Sequence, residues 1–217
     1  MAASQISICN QALAELPAEP IASIDEQSLS ARECKRFYDQ VVSEMLEGPH
    51  DWSFAKVRVA LAAVTNDRLG EWLFAYAMPS NVGRTLRLIP TLTNATGLVW
   101  PALDATPSIP FAAVGSTLYS SQGGAILEYV RSTIEPGLMS SMFARAVSLE
   151  MAARMAMPLK QSRELKGDLL RQAQIQKERA MADDQNRSPR ASADYVSEVS
   201  LVRGGYTGPE GFIGRSV

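Results

Sequence analysis

The sequence predicts an α+β fold: a four-helix bundle-like helical domain with an inserted small antiparallel β subdomain and an extended C-terminal arm. Apolar residues recur at three- and four-residue spacing on both sides of a central region, which is typical of amphipathic helices. In the central region, short β-prone runs alternate with turn signals. We therefore divide the chain into a helical pair (1–50), a β subdomain (51–133), a second helical pair (134–182) and an arm (183–217).

The N-terminal segment predicts two helices. Apolar residues of the first helix keep helical spacing up to Pro17, which ends the pattern because a proline disfavours helical backbone in the residue before it. Ser30 and Glu33 have the spacing of a capping box, so the second helix is predicted to start there and to end at Gly48. The apolar residues of the first helix are Ile6, Cys9, Leu13 and Leu16.

The central segment predicts short antiparallel strands, because clusters of Asn, Asp and Gly separate its β-prone runs. Gln122-Gly123-Gly124 lies between two such runs and predicts a hairpin. Residues 72–78 fit either a helical turn or a strand. The strands are expected at 56–63, 84–89, 98–100, 116–119 and 125–131.

The third segment returns to helical spacing. Pro136 suits a first helical turn, and apolar residues then cover most of the helix circumference up to Pro158, which is predicted to end the helix. A helix that is apolar on all sides is normally buried in a core or between subunits. A second, polar helix is expected at 159–182. The residues predicted to pack in the core or in a subunit interface are Leu138, Met142, Phe143, Val147 and Met155.

The last 35 residues, 183–217, are rich in Gly, Ser and Pro and have no apolar period. Such a segment buries too little surface to offset the entropy lost on ordering. Isolated hydrophobic residues nevertheless occur along it, as in a peptide that docks on a partner. A docking arm and an unstructured terminus both fit this composition. The hydrophobic residues expected to dock are Tyr195, Val199, Leu201, Tyr206 and Phe212.

The sequence offers little catalytic chemistry. His50 is the only histidine, so neither a metal site nor a Ser-His-Asp triad is expected, and we predict that this residue is structural. Cys9 and Cys34 are predicted to be buried thiols packed across the first two helices, and Asp183-Asp184 to be solvated charges. No phosphate-binding glycine motif occurs. We therefore predict no catalytic residue, no cofactor, no metal and no enzymatic activity.

Composition excludes further classes of protein. The formal net charge of −2 argues against a protein that holds nucleic acid by bulk positive charge. No apolar run approaches the roughly 18 residues of a membrane span. At 217 residues with 46% hydrophobic side chains, the chain is long enough to bury a core. These values favour a globular protein with no role in membranes.

Several segments, in order, resemble the tail tubular protein A family, the head-to-tail adaptors of short-tailed bacteriophages. The likeness covers about residues 4–180. It is carried by ICNQALAEL at 8–16, IASIDEQS at 21–28, ARECKRFYD at 31–39, EML at 44–46, HDWSFA at 50–55, WLFAYAMP at 72–79, Arg84 with LRL at 86–88, ILEYV at 126–130 and Glu135-Pro136. The segment after Asp183 matches no quoted motif.

This resemblance implies a structural virion protein of the tail or neck, made in the host cytoplasm. Members form a ring, usually dodecameric, between the portal protein and the tail nozzle, around the channel through which DNA is ejected. Tail nozzle or tail fibre proteins are therefore expected partners, and DNA would pass without specific binding. The arm is expected to dock on the portal. Trp72, Tyr76 and Trp100 of the β subdomain are expected to face the tail.

An alternative function is contact with DNA during packaging. The helix over residues 160–179 carries basic residues on its solvent sides, which suit binding to phosphates. Affinity for duplex DNA that falls steeply with salt would distinguish this alternative from an adaptor. The basic residues are Lys160, Arg163, Lys166, Arg171, Lys177 and Arg179.

Overall fold

The computed structural model describes residues 3–90 and 108–187, and within them the chain has four α-helices and two antiparallel sheets. The mixed helix and sheet content agrees with the predicted α+β class. The helices are α1 (Gln5–Glu15), α2 (Leu29–Leu46), α3 (Ser141–Lys160) and α4 (Arg163–Arg187). Short 3-10 turns at Ser53–Ala55 and Pro136–Leu138 lead into the first strand and towards α3. No helix in the described ranges is long and apolar enough to cross a membrane.

Seven described strands form the two sheets. The first sheet has the order β1-β7-β4 and the second the order β2-β3-β6-β5, with all neighbours antiparallel. The segment 72–78, which sequence left undecided, contains a strand. The strands are β1 (Lys56–Ala60), β2 (Ala63–Val64), β3 (Phe74–Ala77), β4 (Val82–Pro90), β5 (Phe111–Val114), β6 (Thr117–Ser120) and β7 (Ala125–Arg131). The strand predicted at 98–100 lies outside the described residues.

Side-chain caps start the helices, although not always where the pattern predicted. At α1, Ser4 accepts from the Ser7 amide and the Ser7 hydroxyl accepts from the Ser4 amide. The predicted cap of α2 is wrong. Ser28, in extended conformation, accepts from the Ala31 amide at 3.2 Å, so the helix starts at Leu29. Ser30 is therefore a residue of the first helical turn and not the N-cap.

α3 is the central helix, because α1, α2 and α4 all pack against it. This arrangement explains why its apolar residues cover every side instead of one face. The prediction that Pro158 ends this helix is wrong. Pro158 lies in the last turn, and the helix continues to Lys160, where Gln161 adopts a left-handed φ of 51° and donates its amide to Met157. Proline removes one backbone bond here without stopping the two residues that follow.

The predicted boundaries of α4 also shift. The helix begins at Arg163 instead of residue 159, and it continues to Arg187, five residues beyond its predicted end at 182. The residues that α4 buries are Leu169, Ala173, Ala180 and Asp184. Spacings of four and seven residues place them on one side of the helix. The same spacing therefore keeps the last turns of α4 packed where composition predicted an arm.

The predicted hairpin around Gln122-Gly123-Gly124 is wrong, because β6 and β7 belong to different sheets. The hairpin lies between β5 and β6, whose residues Val114 and Thr117 face each other across Gly115-Ser116. Gly115 has a φ of +58°, which a two-residue hairpin requires and glycine adopts without strain. The predicted strand 56–63 likewise divides into β1 and β2, one in each sheet.

The described part of the chain forms two apolar cores. The helical core contains all four helices together with Trp52 and Val130. The sheet core lies between the two sheets and consists of the buried residues Tyr76, Leu88, Leu118, Ala125, Leu127 and Tyr129. Along β7, Leu127 and Tyr129 therefore face the sheet core, whereas Val130 on the opposite face meets the helical core. The first sheet thus contacts the second sheet on one face and the helices on the other.

Candidate functional sites

A buried carboxylate fixes the end of α4 to the segment that joins α2 and β1. Asp184 is 3% exposed. The Ser53 hydroxyl donates to its Oδ1 at 2.5 Å, and the Ser53 amide donates to its Oδ2 at 3.0 Å. His50 Nε2 lies 2.9 Å from the same Oδ2. A buried carboxylate is costly unless hydrogen-bonded, and these contacts provide the bonds. We call Asp184, His50 and Ser53 the α4 joint.

The α4 joint contains a serine, a histidine and an aspartate, but in the wrong order for a nucleophilic triad. In a triad the histidine lies between serine and aspartate, so that it can take the serine proton. Here the carboxylate lies between the other two side chains, and both bond to it. The arrangement therefore holds two segments together and does not activate Ser53. A structural role for His50 was the prediction from sequence.

The prediction that Asp183 and Asp184 are both solvated is wrong for Asp184. Asp183 is partly exposed and lies 2.9 Å from Arg187 Nε, one helical turn away. Asp184 instead continues the buried stripe of α4, four residues after Ala180. That spacing was the available signal in the sequence. The composition favoured the wrong interpretation, because an acidic pair before a Gly- and Ser-rich segment resembles a helix end.

Three of the residues predicted to pack in a core or interface, Phe143, Val147 and Met155, are buried within this chain. Met142 is partly buried against the same core. Leu138 is 52% exposed, because it belongs to the 3-10 turn before α3 instead of to the helix. Since α1, α2 and α4 cover α3, this helix does not offer a broad apolar surface to a neighbouring subunit.

The β region exposes a different set of side chains from those predicted to face the tail. Tyr76 is 2% exposed and donates its hydroxyl to the Gln122 carbonyl at 2.6 Å, so it belongs to the sheet core. Trp72 is half-buried. The prediction for Tyr76 is wrong because residues on a strand alternate between faces, and Tyr76 points between the sheets. Trp100 lies outside the described residues.

Four large apolar side chains of one short segment are exposed instead. Leu69 is 73% and Leu73 65% exposed, and Val64 and Phe74 are also exposed. We call residues 64–74 the exposed segment. It runs from β2 through the connecting loop into β3 of the second sheet. A cluster of exposed apolar residues in one segment is typical of an interaction surface. Sequence reasoning missed it because these leucines fit no simple period.

The first sheet carries a row of charged side chains across its three strands. Arg58 on β1 and Arg87 on β4 both pair in register with Glu128 on β7. Their Nε atoms lie 3.3 and 2.6 Å from the same carboxylate oxygen. Arg84 pairs with Asp51 near one end of this row. Cross-strand pairs of opposite charge stabilise a sheet and keep its face polar.

The basic helix predicted as a DNA contact is nearly charge-balanced. α4 has six basic and five acidic residues, a difference of one. Arg171 pairs with Asp168, and the Lys160 ammonium donates to the Pro17 carbonyl at 3.0 Å. Acidic neighbours weaken the attraction of such a helix for phosphates. The basic residues are Arg163, Lys166, Arg171, Lys177, Arg179 and Arg187, and the acidic ones Glu164, Asp168, Glu178, Asp183 and Asp184.

The two cysteines are buried free thiols of the helical core. A hydrogen bond with Cys34, together with burial, raises the pKa of the Cys9 thiol well above its ordinary value. A thiol that stays protonated is a poor nucleophile. Cys34 in turn lies 3.8 Å from the Met155 sulfur. In residues 3–90 and 108–187, no three His, Cys, Asp or Glu side chains are grouped so that they could hold a metal ion.

The residues predicted to dock on a portal, Tyr195, Val199, Leu201, Tyr206 and Phe212, lie outside the described residues. α4 ends its described course at Arg187, three residues after Asp184. The α4 joint therefore fixes the last described turn of α4. A search with models of protein families finds no match to this chain. No curated protein sequence matches it at a significant level.

Proposed function

We propose that this protein is a structural virion protein, a head-to-tail adaptor that forms a ring between a portal and a tail nozzle around the DNA ejection channel. The four helices are the bundle-like body of the subunit. The segment 188–217 docks as an extended arm on the portal. The exposed segment contacts a tail component or the neighbouring subunit. The protein catalyses no reaction and binds no cofactor.

The observation that carries this proposal is the exposed segment. Monomeric proteins rarely leave several large apolar side chains of one segment in water, because their exposure has no compensating contact. Burial of Leu69 and Leu73 against another protein would recover that free energy. The ordered likeness of residues 4–180 to the adaptors agrees with such a role. The charge-balanced α4 and a net charge of −2 suit a ring through which DNA slides.

Removal of the arm tests portal docking. A variant that ends at Arg187 keeps Asp184 and the α4 joint, so its helical core should fold as in the full chain. Co-sedimentation with purified portal rings from the same phage should be lost, whereas the circular dichroism spectrum per residue in the helical bands should be retained. Unchanged co-sedimentation of the shortened chain would contradict the assignment of the arm.

Charge placed on the exposed segment tests the second contact. The double variant Leu69→Glu, Leu73→Glu should remain folded, because both side chains are exposed, and should fail to form rings on portals or to bind tail proteins. Ile175→Glu on α4 is the matched control, since Ile175 is 51% exposed but lies on a different surface. Native mass spectrometry of the portal complex measures both effects. Equal assembly by the double variant and the control would contradict this part of the proposal.

The alternative function, contact with DNA through residues 160–179, predicts duplex binding whose affinity falls with salt. The adaptor predicts little duplex affinity at physiological salt. A fluorescence titration with a short duplex at two salt concentrations distinguishes them. The near balance of charge on α4 favours the adaptor.

A further inference from the structure

A cleft of about 410 Å³ lies where the helical core meets the sheets. We call it the junction cleft. It is formed by α1, α2, the start of β4, the end of β7 and the connection that leads to α3. Its volume falls within the range of sites that bind small molecules or single side chains. The lining residues are Gln5, Tyr38, Asp39, Asn81, Arg131, Thr133, Ile134, Glu135 and Pro136.

The lining of the junction cleft contains hydrogen-bond donors without acceptors. Tyr38 is 5% exposed, and its buried hydroxyl has no hydrogen-bond partner in the described structure. Arg131 Nε is buried and equally without a partner. Buried polar atoms are almost always hydrogen-bonded, so two such atoms in one cleft need an explanation.

Arg131 differs from the other arginines of its sheet. Arg58, Arg84 and Arg87 each form an ion pair, whereas Arg131 has none among the described residues. Burial, with smaller contributions from Cys9 and Asp39, raises the pKa of Tyr38 to about 12. Its hydroxyl therefore keeps its proton at neutral pH and can donate. The guanidinium of Arg131 is always charged and has only donors.

Asn81 adds a third donor. Its Oδ1 accepts from the Tyr129 hydroxyl at 2.8 Å, which orients the side-chain amide. The Asn81 backbone carbonyl accepts from the Ser132 amide at 3.0 Å, so β4 and the end of β7 hold this residue in place. With Oδ1 already engaged, the side-chain amide has its N–H groups to offer. Tyr38, Asn81 and Arg131 are thus fixed on three different elements around one space.

We infer that the junction cleft binds a carboxylate group, which accepts hydrogen bonds from Tyr38, Asn81 and Arg131. A carboxylate is planar, has two acceptor oxygens and pairs with guanidinium through two parallel bonds. This binding site is separate from the exposed segment and from the arm proposed for the adaptor. The groups that bind it come from the helical core and the first sheet, so the bound ligand also links these two regions.

The rim of the cleft specifies the source of the carboxylate. Asp39 and Glu135 are exposed there, so the lining has two negative charges and one positive charge. A small dianion such as phosphate would be repelled by this rim. A polypeptide that presents a glutamate or aspartate beside a lysine or arginine places its cation on the rim and its carboxylate on Arg131. We therefore assign the ligand to an acidic side chain of a partner polypeptide with a basic neighbour.

Nuclear magnetic resonance of the full chain tests this assignment with three probes: N-acetyl-glutamyl-lysine amide, acetate and inorganic phosphate. The dipeptide should shift the side-chain signals of Arg131 and Asn81 and should saturate at a lower concentration than either small anion. Arg131→Gln should raise the half-saturating concentration about ten-fold, because it removes a charged hydrogen bond. Arg163→Gln, at an exposed arginine far along the chain, is the matched control and should leave it unchanged.

Two further variants keep the inference testable if Arg131→Gln fails to fold. Tyr38→Phe removes only the hydroxyl and should weaken dipeptide binding several-fold. Asn81→Asp keeps the acceptor for Tyr129, replaces the donor amide with a carboxylate that repels the ligand's carboxylate and should abolish binding. The inference is overturned if no probe shifts these signals, if phosphate binds most tightly, or if acetate binds as tightly as the dipeptide. It is also overturned if the variants and the control bind alike.

Discussion

The helical region and the sheet region of this protein differ in how completely they bury their large apolar side chains. Around α3, three helices cover all sides of a fourth, and the helical core includes the large side chains Trp52 and Phe143 at full burial. Among the described residues, the sheet core has six buried residues between two sheets of short strands, and the second sheet leaves the exposed segment uncovered. The helices therefore supply most of the apolar burial, whereas the sheet region leaves Leu69 and Leu73 largely exposed.

The physical reason is geometric. A central helix can bury residues on every side when other helices surround it. A sheet has two faces, and strands as short as β2, with two residues, cannot cover a neighbour completely. The first sheet packs one face against the second sheet. Its other face carries Val130, which belongs to the helical core, and the charged row of Arg58, Glu128 and Arg87. On the second sheet, Tyr76 and Leu118 point into the sheet core, and the cross-strand pair Ala75 and Tyr119 on the opposite face is also buried, whereas the exposed segment is not.

The largest expected effect is the loss of stability on replacing Trp52 of the helical region, with Trp72 of the sheet region as the comparison. Trp52 is fully buried, packs edge-on against Phe143 at 4.7 Å and donates its indole N–H to the Met45 carbonyl. Trp52→Ala should lower the free energy of unfolding by about 3–5 kcal/mol, as expected for removal of a buried aromatic residue. Trp72→Ala, in the half-buried loop of the sheet region, should cost far less. Urea unfolding followed by circular dichroism measures both, and equal losses would break the comparison.

The next effect concerns the α4 joint, which holds the end of α4 to the segment between α2 and β1. Asp184→Ala leaves His50 and the Ser53 amide without their buried acceptor and should destabilise the protein by about 3 kcal/mol. Asp183→Ala, which removes a partly exposed pair with Arg187, should change stability by no more than about 0.5 kcal/mol. Hydrogen exchange of the last turns of α4 should accelerate only in the first variant. If both variants exchange alike, Asp184 does not hold the end of the helix.

A smaller effect is expected at alkaline pH from Tyr38, which lies in α2 beside the sheets. Because the folded protein raises the pKa of Tyr38 to about 12, folding favours the neutral phenol. This contribution is complete below the unfolded pKa of about 10 and is lost as the pH rises towards the folded value, by about 2 kcal/mol. Tyr38→Phe should therefore lose less stability between these pH values than the wild type. Parallel losses in both proteins would show that another group titrates there.

The same tyrosine contrasts with Trp52, because its hydroxyl has no hydrogen-bond partner among residues 3–90 and 108–187. No local pattern distinguishes the Trp52 indole, which is hydrogen-bonded, from the Tyr38 hydroxyl, which is not. The indole N–H of Trp52 reaches a carbonyl seven residues earlier. The Tyr38 hydroxyl faces residues from β4 and β7, whose positions depend on sheet pairing. Sequence reasoning therefore missed the junction cleft.

The helices show how far local signals reach. Periodic apolar residues predicted α1, α2 and the long apolar helix α3, because the three- and four-residue spacing of a helix can be read within one segment of the sequence. Their ends were less predictable. Ser28 and Ser30 both have capping chemistry, and only the extended backbone at Ser28 decides which of them caps α2. Pro158 was expected to end α3, yet packing against three helices holds the last turn to Lys160.

By itself, the sequence determined the α+β class, the helical character of the segments on both sides of the central region and the β-prone character of that region, because spacing and turn residues act over a few positions. Tertiary structure alone decided that β6 and β7 separate into different sheets, that Tyr76 points inward, and that Asp184 is buried against Ser53, 131 residues away in the chain. Each of these depends on which distant backbone lies alongside. Burial and hydrogen bonding are properties of such neighbours, and no local pattern encodes them.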